Sequence, residues 1–500
     1  MNYYARLIFN VTLISVFARF LSLAATQVYL GTFGGSSEEI NIYSFALQLP
    51  NYAAAVFGAF IGVIVTPTYA RLSKKDEGAR FIGIMSFVTV ISAFLLGGFI
   101  FFGAPFLTRI AGFKDFEFAV RAFRLFSFSL VLYGVIFIAQ AILHGKDKFL
   151  IAAFSSAPFG LALIIYSLGF GERFGVNGLI YAALIGLGAQ AIILIYGVLK
   201  TKAKINFNFF KKNNDNNGEI KKALLIALPP VALDALFFNF GAIFSSALAA
   251  RLGVVAIALF AQRLMLVCVM AFIDSVTTTT LPSLARLWEE KQKKEYAQIL
   301  QGALRAIIYL ITPVGLGMFL LSREIIALLA QWGRFGADDA EIAAQILGIY
   351  GLGALFIGLK QVLDRGFYSQ GRAKEPAIVG LIILLINVCF SLIFLDKLGF
   401  LIMPFAFMFS VFFGVIAQIF LLQKSVSVFN KQILKTLLKT LIACVLMAVF
   451  VNFIKFEAPF YFSEVLRRVL AVGIPALAGA AIYGVFAFGL NFIANKGVKL

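Results

Sequence analysis

The residues of this sequence that could do chemistry are a few charges inside long apolar stretches. They are Arg19, Asp234, Arg263, Asp274, Lys360 and Asp364. Three of the six are cations, and a guanidinium binds phosphate groups through two parallel hydrogen bonds. These cations favour an anionic substrate such as a phosphate or pyrophosphate. Structural ion pairs, or long side chains that reach an interface, are the alternative interpretation, and it is preferred for Asp364.

The elements that carry these charges are predicted to be membrane spans. The 500 residues are 61% hydrophobic and 13% charged, whereas soluble proteins are about 45–50% apolar and about 25% charged. Transmembrane backbone must satisfy its own hydrogen bonds, so we expect an all-α polytopic membrane protein. The net charge of +19 then indicates cytoplasmic loops beside anionic membrane lipids and not a nucleic-acid partner.

Fourteen apolar stretches are long enough for a span, which takes about 20 residues. Lys and Arg concentrate in the loops after the even-numbered spans, so the positive-inside rule predicts that both termini are cytoplasmic. The predicted spans are 7–31, 41–66, 81–107, 119–143, 149–170, 176–199, 223–250, 255–281, 299–322, 341–367, 376–396, 399–423, 432–454 and 466–494.

An internal repeat organises these spans. Residues 45–72 and 260–287 share 8 of 28 residue types at an offset of 215, which puts Arg263 where the first copy has Gln48. Gln190 likewise matches Gln418, and the residues before Gly145 resemble those before Gly371. We predict an N-lobe (1–200, helices 1–6), a basic cytoplasmic linker (201–221), a C-lobe (222–425, helices 7–12) and C-terminal helices 13–14 (426–500).

Six spans per lobe is an even number, so both lobes insert the same way up. Such parallel repeats, related by a pseudo-two-fold axis, are common in transporters and place the site near the midplane between the halves. The sequence has no Walker loop, no HExxH and no GxSxG motif, and a transporter is predicted. An enzyme that acts on lipid-linked substrates is the alternative, but such enzymes usually have acidic or His-rich loops, and the outer loops here are short and nearly empty of such residues.

No cofactor and no firm metal site is predicted. Cys268, Cys389 and Cys444 lack metal-binding spacing. Asp234 and Asn387 are the candidates for a cation site, and sodium, a proton or the membrane potential are the open alternatives for the driving force.

Several motifs resemble one family. They are QLPN (48–51), TPTYARL (66–72), AQRLM (261–265), LPSLARL (281–287), WGRFGADD (332–339) and RGFYSQGRAKEP (365–376). These motifs are similar to the MurJ (MviN) family, bacterial lipid II flippases of the multidrug/oligosaccharidyl-lipid/polysaccharide exporter superfamily. The resemblance implies two six-helix lobes, two C-terminal helices that form a groove for a lipid tail, and alternating access across the inner membrane.

The resemblance also implies roles for single residues. Arg19 matches the family's arginine in helix 1, Arg263 matches that of the A-D-R-L-M segment, and Lys360 approximates a basic residue before G-F-Y-S. These three would hold the pyrophosphate of lipid II, with Gln48 as a further substrate-binding candidate. Where the family has additional charges, this sequence has Ala25, Thr26, Asn41, Ala54 and Ala55.

These departures leave alternatives open for the substrate. One is another undecaprenyl-pyrophosphate-linked oligosaccharide, of the O-antigen or capsule type. Others are an ion-coupled drug exporter of the same superfamily and a membrane scaffold for cell-wall assembly. The resemblance implies a role in peptidoglycan biosynthesis, and cell-wall synthesis proteins are open candidates as partners.

Overall fold

The computed structural model describes residues 3–72, 76–203, 205–206, 228–454 and 463–495, and these ranges contain helices and turns but no β-strand. The predicted all-α membrane fold is confirmed. Most of the linker predicted at 201–221 lies outside the described residues, namely 204 and 207–221.

Within the described part of the first half, nine α-helices follow one another. A single π-helical turn, Ile61–Val65, joins α2 to α3. The helices are α1 (Tyr3–Phe33), α2 (Glu38–Phe60), α3 (Thr66–Leu72), α4 (Asp76–Ala111), α5 (Phe116–Ser127), α6 (Ser129–Gly145), α7 (Phe149–Phe154), α8 (Ala157–Gly169) and α9 (Gly171–Lys200).

The described part of the second half contributes nine more. They are α10 (Leu228–Arg251), α11 (Val255–Glu289), α12 (Lys293–Leu320), α13 (Ser322–Leu329), α14 (Ala337–Ser369), α15 (Lys374–Leu398), α16 (Ile402–Gln423), α17 (Lys431–Phe453) and α18 (Glu464–Asn495).

The helices account for the fourteen predicted spans. Among the described residues, twelve helical segments are long and apolar enough to cross a membrane. One of the twelve, Lys374–Gln423, contains both α15 and α16. The remaining predicted span is α2, which continues through the π-turn into α3.

Two compact units divide the chain. The first is Met1–Ala256 with Gly333–Phe335, and the second is Ile257–Trp332 with Gly336–Leu500. The sequence repeat assigned α10 to the C-lobe, but α10 packs on α2 within the first unit, where the Tyr52 hydroxyl lies 3.3 Å from the Ser246 hydroxyl. Packing and sequence repetition are different criteria, so the lobe boundaries stay a prediction.

The two copies of the repeat differ in how their key helix ends. In the first copy, α2 contains Pro50 and passes into the π-turn, where the Thr66 hydroxyl donates to Ile61 O at 3.0 Å. The corresponding α11 is one continuous helix that includes Pro282. A π-helical turn is frequent at functional sites, and the first copy carries one where the second copy is α-helical.

Candidate functional site

Arg19 lies midway along α1, about 24 Å of helical rise from Tyr3. Its side chain is exposed. An exposed guanidinium at that depth is costly against lipid, so residues of this kind face a bundle interior or a water-filled cavity. An aqueous, anion-binding cavity at Arg19 stays a prediction.

The other predicted candidates of the first unit are less accessible. Gln48 is half-buried on α2, two residues before Pro50. Asp234 is buried on α10, near its start. Of these three predicted candidates, the cation is exposed, the amide is partly accessible and the acid is buried.

In the second unit, Arg263 is half-buried on α11, and Asp274 lies about 16 Å further along the same helix. Asn387 is buried on α15. The joint binding of one substrate by Arg19 and Arg263, and a cation site of Asp234 with Asn387, stay predictions. Among the described residues, no group of three or more His, Cys, Asp or Glu side chains could hold a metal ion.

Lys360 forms a buried network with Asp364 and Gln418. Lys360 Nζ donates to Asp364 Oδ2 at 2.8 Å, one helical turn away on α14. Gln418 Nε2, on α16, donates to Asp364 Oδ1 at 2.5 Å. The three residues are 6%, 8% and 0% exposed, respectively. Both oxygens of the carboxylate therefore have a donor, as a buried charge requires.

This geometry agrees with the structural interpretation of Asp364. It also sets a condition on Lys360 as a substrate-binding residue, because an anionic ligand would have to replace Asp364 as its acceptor. The role of Gln418 was missed at the level of sequence, where it was noticed only as the counterpart of Gln190. The sequence did contain a signal for this role. Gln418 is a glutamine inside an apolar span, and Lys360 and Asp364, four residues apart on another span, offer it a charged partner.

Asn41, at a position where the family resemblance implies an acid, joins the start of α2 to the turn before α11. Its Nδ2 donates to Gly253 O and to Ser37 O, both at 2.9 Å. Its Oδ1 accepts from Ala256 N at 3.0 Å. An ionised aspartate has no donor and could not make the first two bonds. Asn41 is therefore committed to the backbone of this turn.

The same contact supports the repeat. Residues 41 and 256 are separated by 215 positions, which is the offset between the two copies of the repeated segment. Equivalent positions of the two copies are thus hydrogen-bonded to each other inside the first unit.

The motif at 365–376 builds a clamp at the end of α14. The Tyr296 hydroxyl, on α12, donates to Gly366 O at 2.7 Å and lies 2.9 Å from the Ser369 hydroxyl. Arg372 pairs with Glu375 at 2.7 Å and reaches the Ser425 hydroxyl at 3.1 Å. The clamp ties α12, α14, α15 and the loop after α16 together, so this motif holds the helices that carry Lys360 and Gln418.

The motif at 332–339 is explained by a close backbone approach. Gly333 has φ +60°, and a Cβ there would lie 2.3 Å from Gly31 O at the end of α1. Arg334 N donates to the same oxygen at 2.7 Å. Only glycine fits this position, because it combines a left-handed conformation with no room for a side chain.

Comparisons with known proteins agree with this architecture. The sequence profile described as "Lipid II flippase MurJ" matches residues 31–470. A Rickettsia prowazekii protein named "Probable lipid II flippase MurJ" is 25% identical over 396 residues, 76% of each chain. A Burkholderia cenocepacia protein named "Lipid II flippase MurJ" is 23% identical over 410 residues, 79% of each chain.

Solved structures show the same fold. One described as "Lipid II flippase MurJ, inward closed conformation" has a TM-score of 0.78 at 20% identity and covers 98% of this chain and 99% of its own. An inward-facing multidrug resistance transporter of the MATE family has a TM-score of 0.66 at 17% identity, with 81% of this chain and 94% of its own covered.

Proposed function

Because this chain belongs to the lipid II flippase MurJ family, we propose that it moves lipid II from the cytoplasmic to the periplasmic leaflet of the inner membrane by alternating access. The match of the family profile to residues 31–470 carries this proposal. The protein is accordingly a multi-pass transporter and not an enzyme. Lipid II would be its substrate, and membrane lipids surround it.

Arg19 and Arg263 are the residues proposed to hold the pyrophosphate. Their side chains are exposed and half-buried, respectively, so both have access to a ligand. In a low-dielectric site, a guanidinium that forms two hydrogen bonds with a phosphate offsets much of the cost of removing that phosphate from water. The carrier therefore needs no covalent chemistry, and binding alone shields the charged headgroup during passage. Gln48 would add a neutral hydrogen bond.

Lys360 is proposed to assist by exchanging partners. With no substrate, Asp364 neutralises it inside the protein. An arriving pyrophosphate offers a stronger anionic acceptor, while Gln418 keeps one donor on the carboxylate that is left behind. Simple opening of the ion pair would be costly, because it leaves both Lys360 and Asp364 buried without a partner of opposite charge. The exchange would leave only Asp364 in that state. Coupling to sodium or a proton through Asp234 and Asn387, or to the membrane potential, stays a further proposal.

A second candidate substrate is another undecaprenyl-pyrophosphate-linked oligosaccharide. Uncharged residues at 25, 26, 41, 54 and 55 favour it, because they stand where related sequences carry charges. Asn41 in particular is engaged with backbone groups. The pyrophosphate would be bound in the same way, and only the glycan would differ.

Growth complementation tests the proposal. A bacterium depleted of its own lipid II flippase receives the wild type, Arg19→Ala, Arg263→Ala or the control Arg323→Ala, which removes an exposed arginine paired with Glu341. We expect rescue by the wild type and by the control but by neither of the other variants, with all four inserted at equal amounts. Rescue by Arg263→Ala would contradict the role of that residue.

If an inserted wild type fails, the same set is tested in a strain depleted of an O-antigen flippase. Rescue there would support the second candidate substrate and exclude the first.

A further inference from the structure

A pocket of about 550 Å³ lies within the second unit between α12, α17 and α18. None of the residues proposed to bind lipid II lines it. Its lining includes Gly302, Arg305, Tyr309, Thr436, Lys439 and Ala487. The family resemblance implies a groove for the tail of the transported lipid in the C-terminal helices α17 and α18, but it assigns no residue of this pocket to a phosphate.

Two cations face this pocket. Arg305 and Lys439 are both half-buried, and no acidic residue is among the lining residues. The hydrogen bond of Arg305 within the described residues runs from Nε to Gln301 O at 3.3 Å, in its own helix. The two terminal nitrogens of its guanidinium are thus available to a ligand. The pocket has a net positive charge and a fork-shaped donor suited to a phosphate.

Lys439 is the deepest of three lysines on one face of α17. Lys431, Lys435 and Lys439 follow one another at a spacing of four residues, which places them on the same side of a helix. The first two are exposed. Residues 426–454 contain no acid at all, so this face is a basic path that ends in the pocket.

The depth of the pocket corresponds to the inner leaflet. α12 and α17 begin in loops that the charge distribution predicts to be cytoplasmic. Arg305 lies about 18 Å from the start of α12, and Lys439 about 12 Å from the start of α17. Long cationic side chains at this depth bury their stems and direct their charges towards the headgroup region.

Beside the cations, the lining combines two threonines, Thr436 and Thr440, with apolar residues. Ala306, Leu310 and Ala487 line the pocket beside the cations. The Tyr483 hydroxyl of α18 donates to Tyr309 O of α12 at 2.7 Å, so the helices that form the walls are bonded to each other. A pocket that combines two cations with apolar side chains matches a phosphate joined to an acyl chain.

We propose that this pocket binds an anionic phospholipid of the cytoplasmic leaflet. Arg305 and Lys439 hold the phosphate of the headgroup, and an acyl chain lies against the apolar wall. Basic pockets between transmembrane helices on the cytoplasmic side are a known way to bind such headgroups. The lipid ties the C-terminal helices α17 and α18 to α12. This proposal does not depend on the identity of the transported lipid.

The test is a lipid titration of the purified full-length chain, followed by native mass spectrometry. Phosphatidylglycerol and phosphatidylcholine are the two probes. We expect the wild type to bind the first phosphatidylglycerol about tenfold more tightly than phosphatidylcholine. Arg305→Gln with Lys439→Gln should remove this difference and leave phosphatidylcholine binding unchanged.

The matched control is Lys431→Gln with Lys435→Gln, which removes the same charge from the exposed part of the same helix face. It should retain the preference, and so should Arg305→Lys with Lys439→Arg. If the control loses the preference for phosphatidylglycerol to the same extent, binding reflects general surface electrostatics and the proposal is overturned. Unchanged binding by the pocket variant, with the melting temperature of the wild type, would also overturn it.

Undecaprenyl pyrophosphate is the third probe. If the pocket variant loses binding of this lipid but not of phosphatidylglycerol, the site belongs to the transported lipid and the proposal is wrong. If the variant loses phosphatidylglycerol alone, the proposal stands.

Discussion

Helices α6 and α14 are equivalent in the repeat, yet their interiors differ. Alignment of Gly145 with Gly371 places Gly134 and Ile138 of α6 opposite Lys360 and Asp364 of α14. In the first unit, Ile138 is buried and Gly134 packs closely, since a Cβ there would lie 3.3 Å from the Ala93 Cβ. In the second unit, the same places hold a buried ion pair with an amide beside it.

The difference shows that this helix packing does not require charge. The first unit makes the equivalent contacts with apolar residues and a glycine. A buried ion pair is weak evidence for stability, because desolvation offsets most of its attraction, whereas loss of one partner alone is costly. The packing of this helix therefore does not account for the charges of Lys360 and Asp364, and the proposed exchange of partners by Lys360 is the alternative that the variants below test.

The largest effect is expected when only one charge of the pair is removed. Lys360→Met leaves the Asp364 carboxylate buried without its cation, and should lower the free energy of unfolding by about 3–5 kcal/mol. Thermal unfolding of the detergent-solubilised protein measures this change.

The matched control makes α14 resemble α6. Lys360→Met combined with Asp364→Leu should recover most of the lost stability, to within about 1 kcal/mol of the wild type, and still fail to support transport. If the single and double variants are equally unstable, the pair is structural and the comparison with α6 fails.

A smaller effect is expected from the glutamines. Gln418→Leu removes the donor to Asp364 Oδ1 and should cost about 1–3 kcal/mol, because a buried charged acceptor loses its partner. The equivalent Gln190→Leu, in the first unit, has no acid opposite it in the repeat alignment. It should change stability by less than half as much in the same thermal unfolding measurement. Equal losses of stability in Gln418→Leu and Gln190→Leu would show that the hydrogen bond from Gln418 to Asp364 contributes no stability of its own.

The smallest of these effects concerns Asn41. Asn41→Asp introduces the acid that the family resemblance implies but loses the donors to Gly253 O and Ser37 O. We expect a loss of about 1–2 kcal/mol, together with faster amide hydrogen exchange at Ala256. Asn51→Asp, which loses one bond to Leu47 O within a single helix, is the control and should leave exchange at Ala256 unchanged. If the Ala256 amide exchanges as slowly in Asn41→Asp as in the wild type, the carboxylate holds this turn as well as the Asn41 side chain does, and the expectation is wrong.

The helices could be predicted from sequence because apolar length is a local property. The contact between Lys360 and Asp364 was not predicted, although residues four apart share a helix face. The acceptor role of Asp364 towards Gln418 could not be predicted, because it depends on the packing of α14 against α16.

Other features depend on contacts between distant parts of the chain. The bonds of Asn41 require the turn at 252–254, and the assignment of α10 to the first unit follows from its packing on α2. The sequence placed Arg19 at membrane depth, and its side chain is exposed in the structure, but its wet surroundings stay a prediction. Its contact with substrate stays a prediction.

The most direct test measures in which leaflet lipid II lies. Cells depleted of their own flippase are supplied with the wild type, Arg263→Ala or Arg323→Ala, and a periplasmic enzyme that cleaves lipid II reports its presence in the outer leaflet. The account predicts cleavage with the wild type and Arg323→Ala, and protected lipid II with Arg263→Ala. Protected lipid II in cells that contain the inserted wild type would contradict it.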